Sequence, residues 1–399
     1  MDTDRMTKIF ETALIIFFLA AIFAPPAGTL FLPGNKVSEA EKRELAPAPG
    51  APENLRSLLD FPQEFEAYYN DHFGFRDFFV MRYQREMRHW FRKSGSKHAV
   101  QGRDGWFFFV GDYLLEDYRG LVPLSDEHIA EWLKEQDRKE EWLRTRGIRY
   151  LLFVVPNKQS IYPEYLPHYI QAARGITRFE QLLDHIDHEL PPYMLNIHPV
   201  LRDAKAGQTF PLYYKADTHW NLLGAYLAFG HVMERLATWY PQEKFRTEFS
   251  FTEAMQEKTG SDLATLLMIR DKVTEKNLRL KRESVCAADL PVDLELSNLP
   301  PQEGRAPFMK GCPDAGLKAV VFRDSFFTAL EPFFSENFRQ VLYIWKQYDQ
   351  RNMEDLIESF QPDIVIEERV ERFFHLSSSI YRIQAEMNDP TAENDIVKQ

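Results

Sequence analysis

Lys318-Ala319-Val320-Val321-Phe322-Arg323-Asp324-Ser325-Phe326-Phe327 is the stretch on which the fold turns. Lys318 to Phe322 reads as a buried strand, and Ser325 to Phe334 reads as a helix, so Ser325 falls at a strand-to-helix turn. In an open parallel sheet, ligands bind outside the carboxyl ends of strands, and this is such an end. A helix start there also supplies backbone N–H groups and partial positive charge for a developing oxyanion. A serine or aspartate in this position also serves as an ordinary helix cap. The turn alone therefore does not make a nucleophile.

A second segment, Asp217-Thr218-His219-Trp220-Asn221, opens an amphipathic helix from Asn221 to Trp239 that buries Leu222, Tyr226, Phe229, Met233 and Leu236. A carboxylate two residues before a histidine reaches the ring Nδ1 from extended backbone, leaving Nε2 free for a hydroxyl. With Ser325 these residues supply an acid, an imidazole and a hydroxyl, the parts of an activated serine nucleophile. The competing reading makes Asp217 or Thr218 a helix cap. A D-x-H metal site needs further Asn, Asp and His ligands downstream. Only His231 and His375 follow, neither in a cluster, so no metal is expected.

Working outward, helices and strands alternate. Asp126 to Gly147 is helical with Ser125 as its cap, and Arg149 to Val155 is a continuous apolar strand. A helix over Gly175 to Glu189 and a strand over Met194 to Val200 follow. Later strands are Val341 to Trp345 and Ile364 to Ile366, with a helix over Met353 to Ser359 between them. This alternation predicts an α/β fold, a parallel sheet flanked by helices. Residues 245–316 break the rhythm and read as an insertion or lid. Upstream, aromatic residues recur at helical spacing from Phe61 to Phe91 with Gly74 interrupting, which predicts two helices or one kinked helix. Residues 33–60 read as a linker, 61–380 as the globular domain and 381–399 as a polar tail.

The 399 residues include 17 Tyr and 32 Phe, enough for a sizeable core, and the net charge of −12 leaves no basic stripe for nucleic acid. No cofactor motif is present. Residues 1–32 contain one strictly apolar run, Thr12 to Ala24, extended through Pro25-Pro26-Ala27-Gly28 to Leu32. The two prolines are expected to bend or end a helix near Ala24. A signal-anchor, a cleaved signal peptide and a core helix compete. The weakly basic Met1 to Lys8 and the lack of a clean small-x-small cleavage site favour the anchor. Cys286 and Cys312, the only cysteines, fit one structural disulfide in an exported protein. Lys158, just past the strand ending at Val155, lies at another strand carboxyl end. His185 and His188, with Asp184 and Asp187, read as a solvated helix face.

The set D-T-H-W-N followed by R-D-S-F resembles the alginate O-acetyltransferase family of the AlgJ/AlgX type. Further similar segments are N-D-H-F-G-F-R from Asn70, G-R-D-G-W-F-F from Gly102, V-V-P-N-K from Val154, T-G-S-D-L-A from Thr259 and P-D-I-V-I-E-E-R-V from Pro362. The resemblance implies a circularly permuted, SGNH hydrolase-like domain. It casts Asp217, His219 and Ser325 as orienting acid, general base and nucleophile. Lys158, Arg323 and Trp220 are the expected substrate-side residues, and Arg323 stands where the family pattern has glycine. The expected activity is O-acetylation of an exported polysaccharide through an acetyl-enzyme. The expected setting is a single-pass inner-membrane protein with its domain in the periplasm, served by a polytopic membrane acyltransferase. An acetyl-polysaccharide esterase with the same triad and a non-catalytic polysaccharide-binding scaffold are the alternatives.

Overall fold

The computed structural model describes residues 3–31, 37–38, 43–91, 96–257, 261–267, 269, 273–281, 286–292 and 306–376. The expected tail 381–399 lies outside them, as do parts of the linker 33–60 and of segment 245–316. The chain forms two compact units, Met1–Val100 with Gly260–Val273, and Gln101–Thr259 with Thr274–Gln399.

In the first unit, helix α1 (Thr3–Phe31) contains the one helix segment among the described residues long and apolar enough to cross a membrane, Thr7–Thr29. Of the bend or end expected near Ala24, the end does not occur: α1 continues through Pro25 and Pro26 to Phe31. Proline removes ladder donors. Here the Pro25 carbonyl finds partners in Thr29 Oγ1 at 3.0 Å and Gly74 N at 3.1 Å, which support that turn. Gly74 separates α2 (Leu55–His72) from α3 (Arg76–Phe91), as the aromatic spacing predicted. Asn54 starts α2 with a capping box: its Oδ1 accepts Ser57 N at 2.9 Å, and Ser57 Oγ accepts Asn54 N at 3.0 Å.

The second unit is built on a seven-stranded sheet. Helix α4 (Asp126–Arg144) starts where Ser125 Oγ accepts His128 N, and leads into strand β1 (Arg149–Val155). Then come α5 (Arg178–His185), β2 (Met194–Asn196) and α6 (Leu222–Trp239). The expected strand through Val200 stops at Asn196. Asn196 Oδ1 accepts the N–H of His198, turning the backbone into the short helix His198–Ala204. A hairpin, β3 (Phe251–Glu257) with β4 (Thr274–Leu280), precedes β5 (Ala288–Leu290) and β6 (Phe308–Gly311). The chain then runs through β7 (Lys318–Phe322), β8 (Gln340–Ile344), α7 (Gln350–Phe360) and β9 (Ile364–Val370).

The sheet order is β2-β1-β9-β7-β8-β6-β5. Its first five strands are parallel, with Ile366 opposite Leu151 and Ala319 opposite Val341. The expected parallel sheet is extended at one edge by β6, which runs antiparallel to both β8 and β5, so the sheet is mixed. These strands are too short to show a pattern in sequence. They are held by the bond between Cys286 and Cys312, which flank the paired ends Ala288 and Gly311.

Both faces of the central strands are buried, which explains their unbroken apolar runs. On one face Tyr150, Leu152, Val320 and Val365 join residues of α4, α5 and α7 in one core cluster. β9 is unusual because it is buried throughout yet reads I-V-I-E-E-R-V. Glu367 and Arg369 point to the α4 side. There Arg369 Nη2 lies 2.6 Å from Glu367 Oε1, and Lys139 Nζ lies 3.6 Å from Glu367 Oε2. Glu368, one residue over, reaches the opposite face and the turn after β7.

Candidate active site

The turn after β7 is held by Asp324 rather than by a cap on Ser325. Asp324 Oδ1 accepts Phe326 N at 2.8 Å and Oδ2 accepts Val370 N at 3.0 Å. Its own N–H donates to Glu368 Oε2 at 3.0 Å. The turn that carries Ser325 is thus tied to the end of the neighbouring strand. Burial pushes the Glu368 carboxyl well above the ordinary range, and the adjacent Asp324 carboxyl pushes it further. The expected Ser325–Phe334 helix is divided into a 3-10 turn, Phe326–Ala329, and a short helix, Glu331–Phe334.

Residues 213–220 form a tight loop closed by an antiparallel bridge between Tyr213 and Trp220. It leads into α6, whose cap is Asn221: Oδ1 accepts Leu223 N at 3.0 Å and Gly224 N at 3.1 Å. Gly224 is needed for close approach, since a Cβ there would stand 2.3 Å from the Leu212 carbonyl oxygen. Asp217 folds back on its own segment, with Oδ1 accepting His219 N at 3.1 Å and lying 2.7 Å from His219 Nδ1. On the other side of the ring, His219 Nε2 lies 2.7 Å from Ser325 Oγ. The structure thus brings Asp217, His219 and Ser325 into one hydrogen-bonded row. With Nδ1–H donating to Asp217, Nε2 faces the hydroxyl as an acceptor.

Trp220 locks the two segments together. Its Nε1 donates to the Phe326 carbonyl at 2.8 Å, and it is almost fully buried while still bordering the cavity. Lys158 is also placed away from open solvent. Its Nζ donates to the carbonyls of Tyr214 at 3.0 Å, Lys215 at 3.1 Å and Asp217 at 2.6 Å. This buried ammonium holds the loop from below instead of facing a substrate, a different post from the one expected of it. Glu275 on β4 grips the same loop from the amide side, accepting Lys215 N at 2.8 Å and Ala216 N at 2.7 Å. Lys158→Met removes three hydrogen bonds to the loop; the Lys215 carbonyl still accepts Phe107 N at 2.8 Å, but the hold on the loop weakens, at a cost of about 1–3 kcal/mol. Turnover of an acetyl ester by that variant is expected to fall about 100-fold. KM should change much less, because the loss is one of His219 placement, and steady-state kinetics separates the two.

Arg323 turns away from Ser325. Its guanidinium is buried, pairs with Glu331 Oε1 at 2.8 Å, donates to Thr328 Oγ1 at 2.8 Å and lies over the Trp345 ring at 4.5 Å. Among the described residues, left-handed backbone occurs elsewhere and not at Arg323, so a side chain there strains nothing. Thr328 and Trp345 border the cavity, and Arg323 supports that wall from behind.

The cavity has a volume of about 690 Å³ and contains Asp217, His219 and Ser325 in its lining. Leu222, Leu278, Leu280 and Pro332 give it apolar sides, and Arg279 adds a cation. The β3–β4 hairpin that supplies Leu278 to Leu280 was not read from sequence, nor was Glu368. A pair of acids at the end of an apolar strand, Glu367-Glu368, was the available signal for the latter.

Residues 99–291 match the family model for an SGNH hydrolase-like domain, acetyltransferase AlgX. The matched stretch holds Asp217 and His219 and ends before Ser325. The chain therefore carries an SGNH hydrolase-like α/β domain, its mixed sheet flanked by helices. Over the matched residues the domain is similar to the acetyltransferase AlgX family. Similar solved structures include PatB1 of Bacillus cereus, at 15% identity and TM-score 0.49, covering 69% of this chain and 96% of that one. The O-acetyltransferase domain of Pseudomonas putida AlgJ is 16% identical, with TM-score 0.39 and coverage of 71% and 94%. Pseudomonas aeruginosa AlgX is 16% identical, with TM-score 0.42 and coverage of 70% and 63%. No curated protein sequence matches the chain.

Proposed function

We propose that the protein is an O-acetyltransferase that places acetyl groups on hydroxyls of an exported polysaccharide. The carrying observation is the row Asp217–His219–Ser325, with both hydrogen bonds at 2.7 Å, inside a cavity. The acetyltransferase-type domain supports the reaction class. In the first half-reaction, His219 Nε2 takes the Ser325 proton as Oγ attacks the acetyl carbonyl carbon. The donor's bond to that carbon breaks, and the leaving group takes the proton from His219. In the second, an acceptor hydroxyl gives its proton to His219 and attacks the acetyl-Ser325 carbonyl, and Ser325 Oγ leaves with the proton. Asp217 stays ionised and stabilises the imidazolium in both.

The setting we propose is a signal-anchor at Thr7–Thr29, a periplasmic domain and a polytopic membrane acyltransferase as acetyl source. The apolar helix and the disulfide support export. The test is to incubate the purified chain with an acetyl ester, with and without oligosaccharide acceptors. Acetylated oligosaccharide is the expected product. Free acetate alone, unaffected by acceptors, overturns transfer in favour of an esterase.

A further inference from the structure

The hairpin α2–α3 carries a row of aromatic rings that the catalytic chemistry does not use. Phe61, Phe65, Tyr69, Phe73 and Phe79 follow one another with ring centroids 6.1, 6.3, 6.3 and 6.4 Å apart. Most of these rings face outward: Phe65 is 49% exposed, Tyr69 40% and Phe79 46%. Water-facing rings on this scale are costly, since each buried aromatic gains a few kcal/mol. A contiguous exposed apolar row marks a contact surface.

The occupant follows from where the row begins. The corner between α2 and α3 is seated on the end of α1, with Gly74 N donating to the Pro25 carbonyl at 3.1 Å and to Thr29 Oγ1 at 2.9 Å. The two backbones touch. A Cβ on Gly74 would lie 2.4 Å from Gly28 Cα, and one on Gly28 would lie 2.9 Å from Gly74 Cα. Thr7–Thr29 has 23 residues. At 1.5 Å per residue that is about 34 Å, against about 30 Å of hydrocarbon, so Pro25 to Thr29 fall where the helix leaves the apolar layer. The corner, and the rings Phe73 and Phe79 beside it, are thereby fixed at that depth. Aromatic side chains favour this zone; the four arginines and two acidic residues of α3 are balanced by one arginine and four acidic residues on α2, so the rings and not net charge mark the surface.

We propose that the aromatic face of α2–α3 lies in the headgroup layer of a membrane. It forms a collar around the exit of α1. This inference rests on the anchor reading of α1. The experiment reconstitutes the full-length protein in phosphatidylcholine–phosphatidylglycerol vesicles. Because Cys286 and Cys312 are joined, one introduced cysteine is the only free thiol and carries an environment-sensitive fluorophore. Probes at Tyr69→Cys and Phe79→Cys are expected to show blue-shifted emission and to lose most of it to lipids brominated near the headgroup. A probe at Phe17→Cys should be quenched by lipids brominated deep in the chains. Quenching at Phe17→Cys with water-like, unquenched signals at Tyr69→Cys and Phe79→Cys overturns the collar while leaving the anchor intact. An unquenched Phe17→Cys overturns the anchor reading and the collar with it. A blue shift at Tyr69→Cys and Phe79→Cys that appears only on adding polysaccharide overturns the collar and makes the row a glycan platform.

Discussion

Ser325→Ala and His219→Ala are each expected to abolish acetyl transfer, with a fall of roughly 10⁶-fold in kcat and almost no further loss in the double variant. The reason is that the hydroxyl and the imidazole act as one unit. His219 Nε2 has one hydroxyl partner at 2.7 Å, and Ser325 has no other base at that distance among the described contacts. Asp217→Asn keeps both groups but offers Nδ1 the wrong partner, so roughly 10⁴-fold is the expected loss. The three variants are compared by release of product from an acetyl ester and by mass-spectrometric trapping of acetyl-Ser325. Additive losses in the double variant, or an acetylated chain in Ser325→Ala, would show that the row is not the reaction centre. Folding is checked in parallel by thermal unfolding, since all three side chains are only partly buried.

The largest stability effect is expected on the other face of the sheet. Burial alone would raise the Glu367 carboxyl, but Arg369 and Lys139 outweigh it and hold the group below its ordinary range. Tyr150 adds a 2.6 Å hydrogen bond to Oε2, and Glu367 Oε1 accepts Tyr348 N at 3.0 Å. Glu367→Gln strips the charge while leaving two buried cations in place. Removing one partner of such a cluster costs about 3–5 kcal/mol, read as a lowered denaturant midpoint with unchanged slope. A triple variant, Glu367→Leu with Arg369→Met and Lys139→Met, is expected to be markedly more stable than Glu367→Gln. It leaves no unpaired charge in the core. If the single variant is as stable as the parent chain, the cluster is not carrying ionised groups.

The fold was legible where side-chain burial is two-sided. Arg149–Val155 and Lys318–Phe322 are continuous apolar runs, and their observed bounds are the expected ones. Legibility failed where non-local contacts decide. Ala288–Leu290 becomes a strand through pairing with Phe308–Gly311 beside a disulfide, and no local pattern announces that. Asn196 ended a strand early through one side-chain hydrogen bond, and a pair of prolines did not end α1, whose next turn is held by contacts of the Pro25 carbonyl with Thr29 and Gly74. At the site, D-T-H and D-S were readable because the residues that touch each other carry distinctive chemistry. Lys158 was misplaced because sequence position gave its strand end but not the direction of its ammonium, which points into the loop. Arg323 likewise revealed itself only through Glu331, Thr328 and Trp345.

The strand order has a consequence for how the chain must be made. β9, the last strand among the described residues, fills the gap between β1 and β7 and hydrogen-bonds to both. Until residues 364–370 leave the ribosome, the two halves of the sheet present bare edges to one another, and no near-native core can close. Assembly of the sheet therefore waits until residues 364–370 have been made. A nascent chain stopped short of Ile364 should be found by proteases as an open polypeptide, not as a nearly finished domain.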